Sequence, residues 1–161
     1  MFGFAKLPAE NSIPRMNPAE SKPAPSGPPK KDAVLLVDDE RPLLDVFTAA
    51  LSPLFDIMTA QTAREADLIL HKNRFKVVIA DHLMPGGNGM NFLTRAREEF
   101  PHMQRILVTG YMKPEMLLRS VNEAALFRYL LKPVAIAELI KVVLDAAKAH
   151  DASVAAAAKS K

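Results

Sequence analysis

Five short apolar segments recur along the chain, and each is followed by a segment in which the apolar residues have helical spacing. The apolar segments are AVLLV (33–37), FDIMTA (55–60), FKVVIA (75–80), RILVT (105–109) and RYLL (128–131), and the helical ones span 41–51, 62–72, 89–100, 114–125 and 135–150. Strands that are apolar on both faces need helices above and below them, so the alternation indicates a parallel sheet. The pattern predicts an α/β fold, a doubly wound (βα)5 domain around a five-stranded parallel sheet.

Two segments outside this pattern are predicted to be tails. Residues 1–31 hold seven of the thirteen prolines, and such a segment buries too little apolar surface to offset the entropy lost on ordering. We therefore predict a disordered, proline-rich leader over 1–31 and a folded domain over 32–148. The Ala- and Lys-containing tail over 149–161 can either extend the last helix or fray, and fraying is the prediction.

The net charge of +3 does not indicate a nucleic-acid-binding face on the domain. Residues 1–31 carry five basic and two acidic side chains, whereas residues 32–150 carry fourteen basic and fifteen acidic ones. The positive excess lies in the tails, so nucleic acid is not expected as a partner. The chain has no cysteine, no apolar run of about 18 residues that could span a membrane and no apolar signal-peptide core. A cytoplasmic protein without membrane contact is predicted.

Polar side chains follow four of the five predicted strands. In open α/β sheets the carboxyl ends of the strands meet at one edge, where sites form. Clustered carboxylates repel at neutral pH unless a cation neutralises them or their pKa is raised, and a set of oxygen ligands favours Mg²⁺. The pattern therefore predicts phosphoryl chemistry, with one carboxylate as nucleophile and a hydroxyl and an ammonium contacting the phosphoryl oxygens. The residues are Asp38, Asp39 and Glu40 after the first strand, Asp81 after the third, Thr109 at the end of the fourth and Lys132 after the fifth.

Taken in order, VLLVDDE, VVIADHLMPGGNGMNFL, RILVTGY and RYLLKP resemble the receiver domain of two-component response regulators. The resemblance covers about residues 32–148 and implies a flavodoxin-like fold with strand order 2-1-3-4-5. It implies that Asp81 is the phosphoacceptor. It also implies that Asp38 and Asp39 form the acidic pair around Mg²⁺, with the backbone carbonyl of Leu83 as a further ligand.

The same resemblance implies roles around the phosphoryl group and on the output surface. Thr109 and Lys132 would bind the phosphoryl group, Lys132–Pro133 would be a cis peptide, and Tyr129 would be the switch aromatic that moves with Thr109. A sensor histidine kinase or phosphotransfer protein would donate phosphate. A protein effector would bind the face built from the fourth helix, the fifth strand and the fifth helix, and a homodimer is compatible with this. The domain would catalyse only its own phosphorylation and slow dephosphorylation.

Two positions depart from the family pattern. Gly87-Asn88-Gly89 stands where Met-Asp-Gly is familiar, and Glu123-Ala124-Ala125 stands where a glycine is usual before the fifth strand. Neither departure concerns a residue that would contact phosphate.

Several other interpretations stay open at this point. The chain could be a phosphorylation-independent scaffold, the receiver of a longer regulator, or a phosphatase of another fold, although Leu83 offers no carboxylate two residues after Asp81. After residue 148 too few residues remain for an output domain, which favours protein–protein signalling by a stand-alone receiver. Asp39 could serve only as a helix N-cap, and Tyr129 only as core. The four histidines lack metal-ligand spacing and are predicted to lie at the surface: His71, His82, His102 and His150.

Overall fold

Five parallel strands form the central sheet of the computed structural model, which describes residues 28–110 and 112–160. They are β1 (Ala33–Val37), β2 (Asp56–Ala60), β3 (Val77–Asp81), β6 (Gln104–Thr109) and β7 (Arg128–Leu131). The sheet order is β2-β1-β3-β6-β7, which confirms the predicted order 2-1-3-4-5 once the sheet strands alone are counted. The predicted leader over 1–31 lies almost entirely outside the described residues, and Lys31–Lys161 form one compact unit.

Five helices alternate with the strands of the sheet, as the sequence pattern predicts. They are α1 (Arg41–Leu51), α2 (Ala63–Lys72), α3 (Gly89–Glu99), α4 (Pro114–Glu123) and α5 (Ile136–Lys159). The predicted cap of α2 is confirmed, because the Thr62 hydroxyl oxygen accepts a hydrogen bond of 3.1 Å from the Glu65 amide. The Glu65 carboxylate accepts from the amide of Gln61, one residue before the cap. These local bonds satisfy two amides that the helix itself leaves without partners.

The sheet buries a hydrophobic core on each of its faces. Neighbouring residues on a strand point to opposite faces, so Leu36 joins the core under α1 and α5 while Leu35 joins the core under α2 and α3. All five residues of β3 are buried, including Asp81 at its end. The central strands can be apolar throughout because helices cover both faces.

A small antiparallel hairpin, which the sequence pattern did not predict, lies between β3 and α3. It consists of β4 (Leu83–Met84) and β5 (Gly87–Asn88), and Leu83 pairs with Asn88. Gly86 takes a positive φ of 74° at the turn, a conformation that favours glycine. The Asn88 side chain then accepts a 2.7 Å hydrogen bond from the Met90 amide and caps α3.

The predicted fraying of residues 149–161 is wrong, because α5 continues to Lys159. The extension contains VAAAA and no helix-breaking residue, and alanine has the highest helix propensity. Two side chains also tie it to the domain. The Asp151 carboxylate lies 2.7 Å from the Lys76 ammonium, and the Ser153 hydroxyl lies 2.7 Å from Nδ1 of His102. Among the described residues no helix is long and apolar enough to cross a lipid bilayer.

Candidate functional site

The carboxyl ends of four sheet strands bring the predicted polar residues together. Asp38 follows β1, Asp81 ends β3, Thr109 ends β6 and Lys132 follows β7. The Lys132 ammonium lies 3.3 Å from Oδ1 of Asp81 and 3.5 Å from Oδ2 of Asp38. Asp38, Asp81 and Thr109 are buried, so three strand ends and a lysine form one small polar site at the carboxyl-terminal edge of the sheet.

A third carboxylate completes the acidic part of the site. Oxygens of Asp38, Asp39 and Asp81 all lie within 4.8 Å of one another. Asp39 is more exposed than the other two, which places it at the open side of the cluster. Three carboxylates facing the single ammonium of Lys132 leave a surplus of negative charge, and this acidic pocket is able to bind a metal ion.

Backbone geometry explains why Asp38 points into the pocket. Its amide donates to the carbonyl of Ala60 at 3.0 Å, so the first residue after β1 still follows the sheet. One of its carboxylate oxygens accepts a 2.8 Å hydrogen bond from the Glu40 amide at the start of α1. The N-cap of α1 is Glu40, so the interpretation of Asp39 as an N-cap alone is wrong.

Asp81 is held by close backbone packing at the end of β3. The amide of His82 donates to the carbonyl of Val108, and the amide of Gly89 donates to the carbonyl of His82. A Cβ atom on Gly89 would lie 1.9 Å from the carbonyl oxygen of Asp81, so only glycine fits at this position without a backbone shift. The first residue of α3 therefore fixes the position of the Asp81 backbone.

Burial dominates the protonation of the two inner carboxylates. Desolvation raises the pKa of Asp81, and the charge and hydrogen bond of Lys132 oppose that rise. Desolvation also raises the pKa of Asp38, opposed by the Glu40 amide and reinforced by the negative charge of Asp81. For Lys132, desolvation lowers the pKa, but the charges of Asp38 and Asp81 outweigh it and the net direction is upward. Lys132 is therefore the charged partner of two desolvated carboxylates.

The remaining predicted residues lie on or next to β4, β6 and β7. Thr109 is buried at the end of β6, and its carbonyl accepts a 2.8 Å hydrogen bond from the Lys132 amide, which links the ends of β6 and β7. The Lys132-Pro133 peptide is cis, as predicted. The Leu83 side chain is exposed on β4, and Tyr129 is 41% exposed on β7, so the interpretation of Tyr129 as core is wrong.

One histidine prediction is also wrong. His82 is buried rather than at the surface, because it continues β3 by one hydrogen-bonded residue. Its Nδ1 atom has no hydrogen-bond partner among the described residues. In the sequence, Gly89 is noted only as part of a loop motif and as the first residue of a predicted helix. Its spatial neighbour, eight residues earlier in the chain, gives no local sequence signal.

The comparisons with known proteins agree with this geometry. The family model of the response regulator receiver domain matches residues 34–144. The hydrogenase transcriptional regulatory protein HoxA of Cupriavidus necator is 37% identical over 121 residues, which are 75% of this chain and 25% of that protein. The alginate biosynthesis transcriptional regulatory protein AlgB of Pseudomonas aeruginosa is 29% identical over 105 residues, 65% of this chain and 23% of that protein.

Solved structures with the same fold include a signal receiver domain of an HD domain-containing protein from Pseudomonas fluorescens Pf-5. It has a TM-score of 0.73 and 26% identity, and the match covers 80% of this chain and 95% of that one. A CheY-like receiver domain protein from Methanospirillum hungatei has a TM-score of 0.73 and 26% identity, with 77% and 99% covered. The chain spans about a quarter of the length of the curated relatives that it matches. With the family model covering most of its folded part, the chain belongs to the response regulator receiver domains of two-component systems.

Proposed function

We propose that Asp81 is the phosphoacceptor of a phosphorylation-dependent switch. The observation that carries this proposal is the position of Lys132, whose ammonium lies within 3.5 Å of both Asp81 and Asp38. A buried carboxylate with one cation and an acidic neighbour is suited to receive a phosphoryl group, because the ammonium can follow the negative charge onto the phosphoryl oxygens. The acidic cluster and the placement of Thr109 at the adjacent strand end support the same assignment.

The residues of the pocket fit Mg²⁺ as the cofactor. Asp38, Asp39 and Asp81 would hold the ion together with the backbone carbonyl of Leu83, since hard divalent cations prefer such oxygen ligands. Burial raises the pKa of Asp38 and Asp81 despite the opposing charge of Lys132, so a divalent cation between these carboxylates would favour their ionised form. When bound, Mg²⁺ neutralises these carboxylates and the incoming phosphoryl oxygens.

The proposed transfer follows from the groups of the chain itself. A carboxylate oxygen of Asp81 attacks the phosphorus of a phosphohistidine on a sensor kinase or phosphotransfer protein. The P–N bond breaks as the P–O bond forms, and the released imidazole nitrogen takes up a proton from solvent. Lys132 and the hydroxyl of Thr109 contact the phosphoryl oxygens during this step. Water later attacks the phosphorus, which releases inorganic phosphate and restores the Asp81 carboxylate.

The output is proposed to be a protein–protein contact through the face of α4, β7 and α5. That face exposes apolar side chains on all three elements, and where such side chains form a contiguous patch they mark a protein–protein interaction site. Tyr129 lies on β7, the strand of this face, and its outward position suits a ring that moves inward when Thr109 moves toward the phosphoryl group. The exposed apolar residues are Met116, Leu118 and Val121 on α4, Tyr129 and Leu131 on β7 and Ile136 on α5.

We further propose a cytoplasmic receiver over about residues 32–148 with a proline-rich leader. A second candidate output follows from the longer relatives, whose printed names describe transcriptional regulators. In that case the receiver would control transcription, through a partner or within a longer regulator. Comparing transcripts of a strain that carries Asp81→Asn with those of the wild type tests this, since unchanged transcripts would exclude it.

The phosphoacceptor assignment is tested by intact mass. After incubation with acetyl phosphate and Mg²⁺, the protein should gain one phosphoryl group, and the gain should disappear with EDTA or in Asp81→Asn. Asp56→Asn, which changes an exposed aspartate on β2, is the matched control and should label like the wild type. Labelling of Asp81→Asn at the wild-type rate would refute the assignment.

A further inference from the structure

Two arginines hold the C-terminal end of α4. Arg105 lies on β6 and is 5% exposed, and its guanidinium donates to the carbonyls of Met103, Ala124 and Ala125. Arg97, in the last turn of α3, donates to the carbonyls of Asn122 and Glu123 at 3.0 and 2.8 Å. Four consecutive carbonyls at the end of α4, those of residues 122–125, thus accept hydrogen bonds from two guanidinium groups.

This arrangement answers the needs of a helix end. The last carbonyls of a helix lack partners within the helix and carry partial negative charge, so cations there are stabilising. The backbone of Arg105 adds a further tie, because its carbonyl accepts a 2.8 Å hydrogen bond from the amide of Phe127. The connection from α4 to β7 is therefore fixed to β6 by both the side chain and the backbone of one residue.

The hydrogen bonds of Arg105 also help to stabilise Ala125, where the chain departs from the family pattern. Ala125 has a φ of 45°, in the left-handed region where a residue with a Cβ atom is strained by about 1–2 kcal/mol. Such strain persists where the surrounding structure determines the backbone. The guanidinium of Arg105 on the Ala125 carbonyl supplies part of that restraint.

Among the described residues, the N-terminal end of α4 has no comparable set of side-chain hydrogen bonds. Its N-cap, Lys113, makes no side-chain capping bond, and Pro114 follows directly. Of the ten residues of α4, only Ser120 is buried, and it lies near the C-terminal end of the helix. Met116 and Leu118 are exposed. Within the described residues, four side-chain hydrogen bonds from Arg97 and Arg105 therefore hold the C-terminal end of α4, whereas its N-terminal turn accepts no such bond from another element.

We propose that Arg97 and Arg105 make the C-terminal end of α4 a pivot, so that α4 tilts about residues 124–125 when Asp81 is phosphorylated. This inference rests on the proposed function. Arg105 is the positioning residue. It lies on β6, the strand that ends at Thr109, and it holds the C-terminal end of α4, the helix that follows β6 in the chain. A rigid tilt moves each residue in proportion to its distance from the pivot. At 1.5 Å per residue, Glu115 lies about 13 Å from residue 124 and Asn122 about 3 Å, so Glu115 should move roughly four times as far.

Spin labels can measure this gradient directly, because the chain has no cysteine of its own. One sample carries labels at Lys72→Cys and Glu115→Cys, and the other at Lys72→Cys and Asn122→Cys, all at exposed positions. Distances are measured by double electron–electron resonance before and after addition of Mg²⁺ and beryllofluoride, a stable mimic of the phosphoryl group. The pivot predicts a clear shift for Glu115 and a much smaller one for Asn122. Equal shifts, a larger shift at Asn122 or no shift at either would overturn it.

The same labels in arginine variants identify the cause of the gradient. Arg97→Gln should raise the shift at Asn122 toward that at Glu115, and Arg97→Lys should restore part of the difference. Arg95→Gln is the matched control, since Arg95 on the same helix pairs with Asp67 of α2 rather than with α4. An unchanged gradient in Arg97→Gln would overturn the role of Arg97 in the pivot, since Arg105 still holds the carbonyls of Ala124 and Ala125 in that variant. Intact mass after acetyl phosphate treatment separates the two proposals: no mass gain refutes the phosphoacceptor, whereas a gain without the gradient refutes the pivot alone.

Discussion

Replacing Gly89 with alanine should both destabilise the domain and slow phosphorylation of Asp81. The new Cβ atom would lie 1.9 Å from the carbonyl oxygen and 2.9 Å from the carbonyl carbon of Asp81. Favourable contacts between carbon atoms need about 3.5–4.0 Å, so the two backbone segments must separate by more than about 1 Å. The 3.0 Å hydrogen bond from the Gly89 amide to the His82 carbonyl resists that separation.

The size of the effect follows from the atoms that must move. Overpacking costs about 1–3 kcal/mol, and because rigid backbone rather than a flexible side chain is displaced here, we expect the upper end of that range. For a domain of this size such a loss lowers the melting temperature by about 10 °C. A misplacement of about 1 Å at a reacting group can slow a reaction by about 100-fold, so labelling of Asp81 by acetyl phosphate should slow by about 10–100-fold.

Two neighbouring glycines separate packing from strain. Gly87→Ala would place its Cβ atom at an ordinary 3.4 Å from the Cβ atom of Ala63, so stability and labelling should stay close to wild type. Gly86→Ala has open space around it but a φ of 74°, so it should lose about 1–2 kcal/mol of stability through strain and keep its labelling rate. Thermal melts and the time course of intact mass measure both quantities. If Gly89→Ala melts and labels like Gly87→Ala, the close packing of Gly89 on Asp81 does not position the site.

Three further predictions concern charge and water at the site. Since the folded pKa of Asp38 lies above its unfolded value, stability should fall as pH rises from about 4 through the folded pKa in EDTA. Asp38→Asn should flatten that fall, measured by denaturant melts at several pH values, and equal pH slopes for both proteins would contradict the reasoning. Mg²⁺ at about 100 times its Kd should raise the free energy of unfolding of the wild type by about 2.7 kcal/mol. Lys132→Ala should lower the free energy of unfolding by about 1–3 kcal/mol, less than for a fully buried pair because Lys132 is partly exposed. The changes in amide NMR shifts of α4 and β7 on phosphorylation should also shrink in this variant, and changes of wild-type size would refute the role of Lys132. Finally, Leu83 and Tyr111, the latter outside the described residues, offer neither a carboxylate nor an amide to orient water, so the phosphorylated state should hydrolyse slowly. Leu83→Asn and Tyr111→Glu should shorten its lifetime, and unchanged or longer lifetimes would exclude crowding by these side chains.

The parts of the fold that rest on short-range patterns were predictable from the sequence. Continuous apolar strands in alternation with amphipathic helices predicted the parallel sheet, and its order followed from the resemblance to receiver domains. The cap at Thr62 was readable because its partner Glu65 is three residues away. The gathering of Asp38, Asp81 and Lys132 was also predictable, since parallel strands bring their carboxyl ends to one edge.

What the sequence did not predict depends on partners far apart in the chain. The extension of α5 is tied down by Lys76 and His102, about 75 and 51 residues before the groups that they contact, and no local pattern signals such pairs. The burial of His82 follows from the sheet continuing one residue beyond Asp81. The β4–β5 hairpin has only two residues on each strand, too few for an alternating pattern to appear.

Arg105 illustrates how such long-range contacts matter for the switch. In the sequence it is simply the polar first residue of an apolar segment, a position at which a charged residue normally faces solvent. In the fold it is buried, and its guanidinium takes carbonyl partners 19 and 20 residues later in the chain. Because an unpaired buried cation is costly, those carbonyls must stay in place for β6 to pack as it does. The stability of the core strand and the position of the end of α4 are therefore coupled, and the helix that the proposed switch must move is held at one end by the strand that carries Thr109.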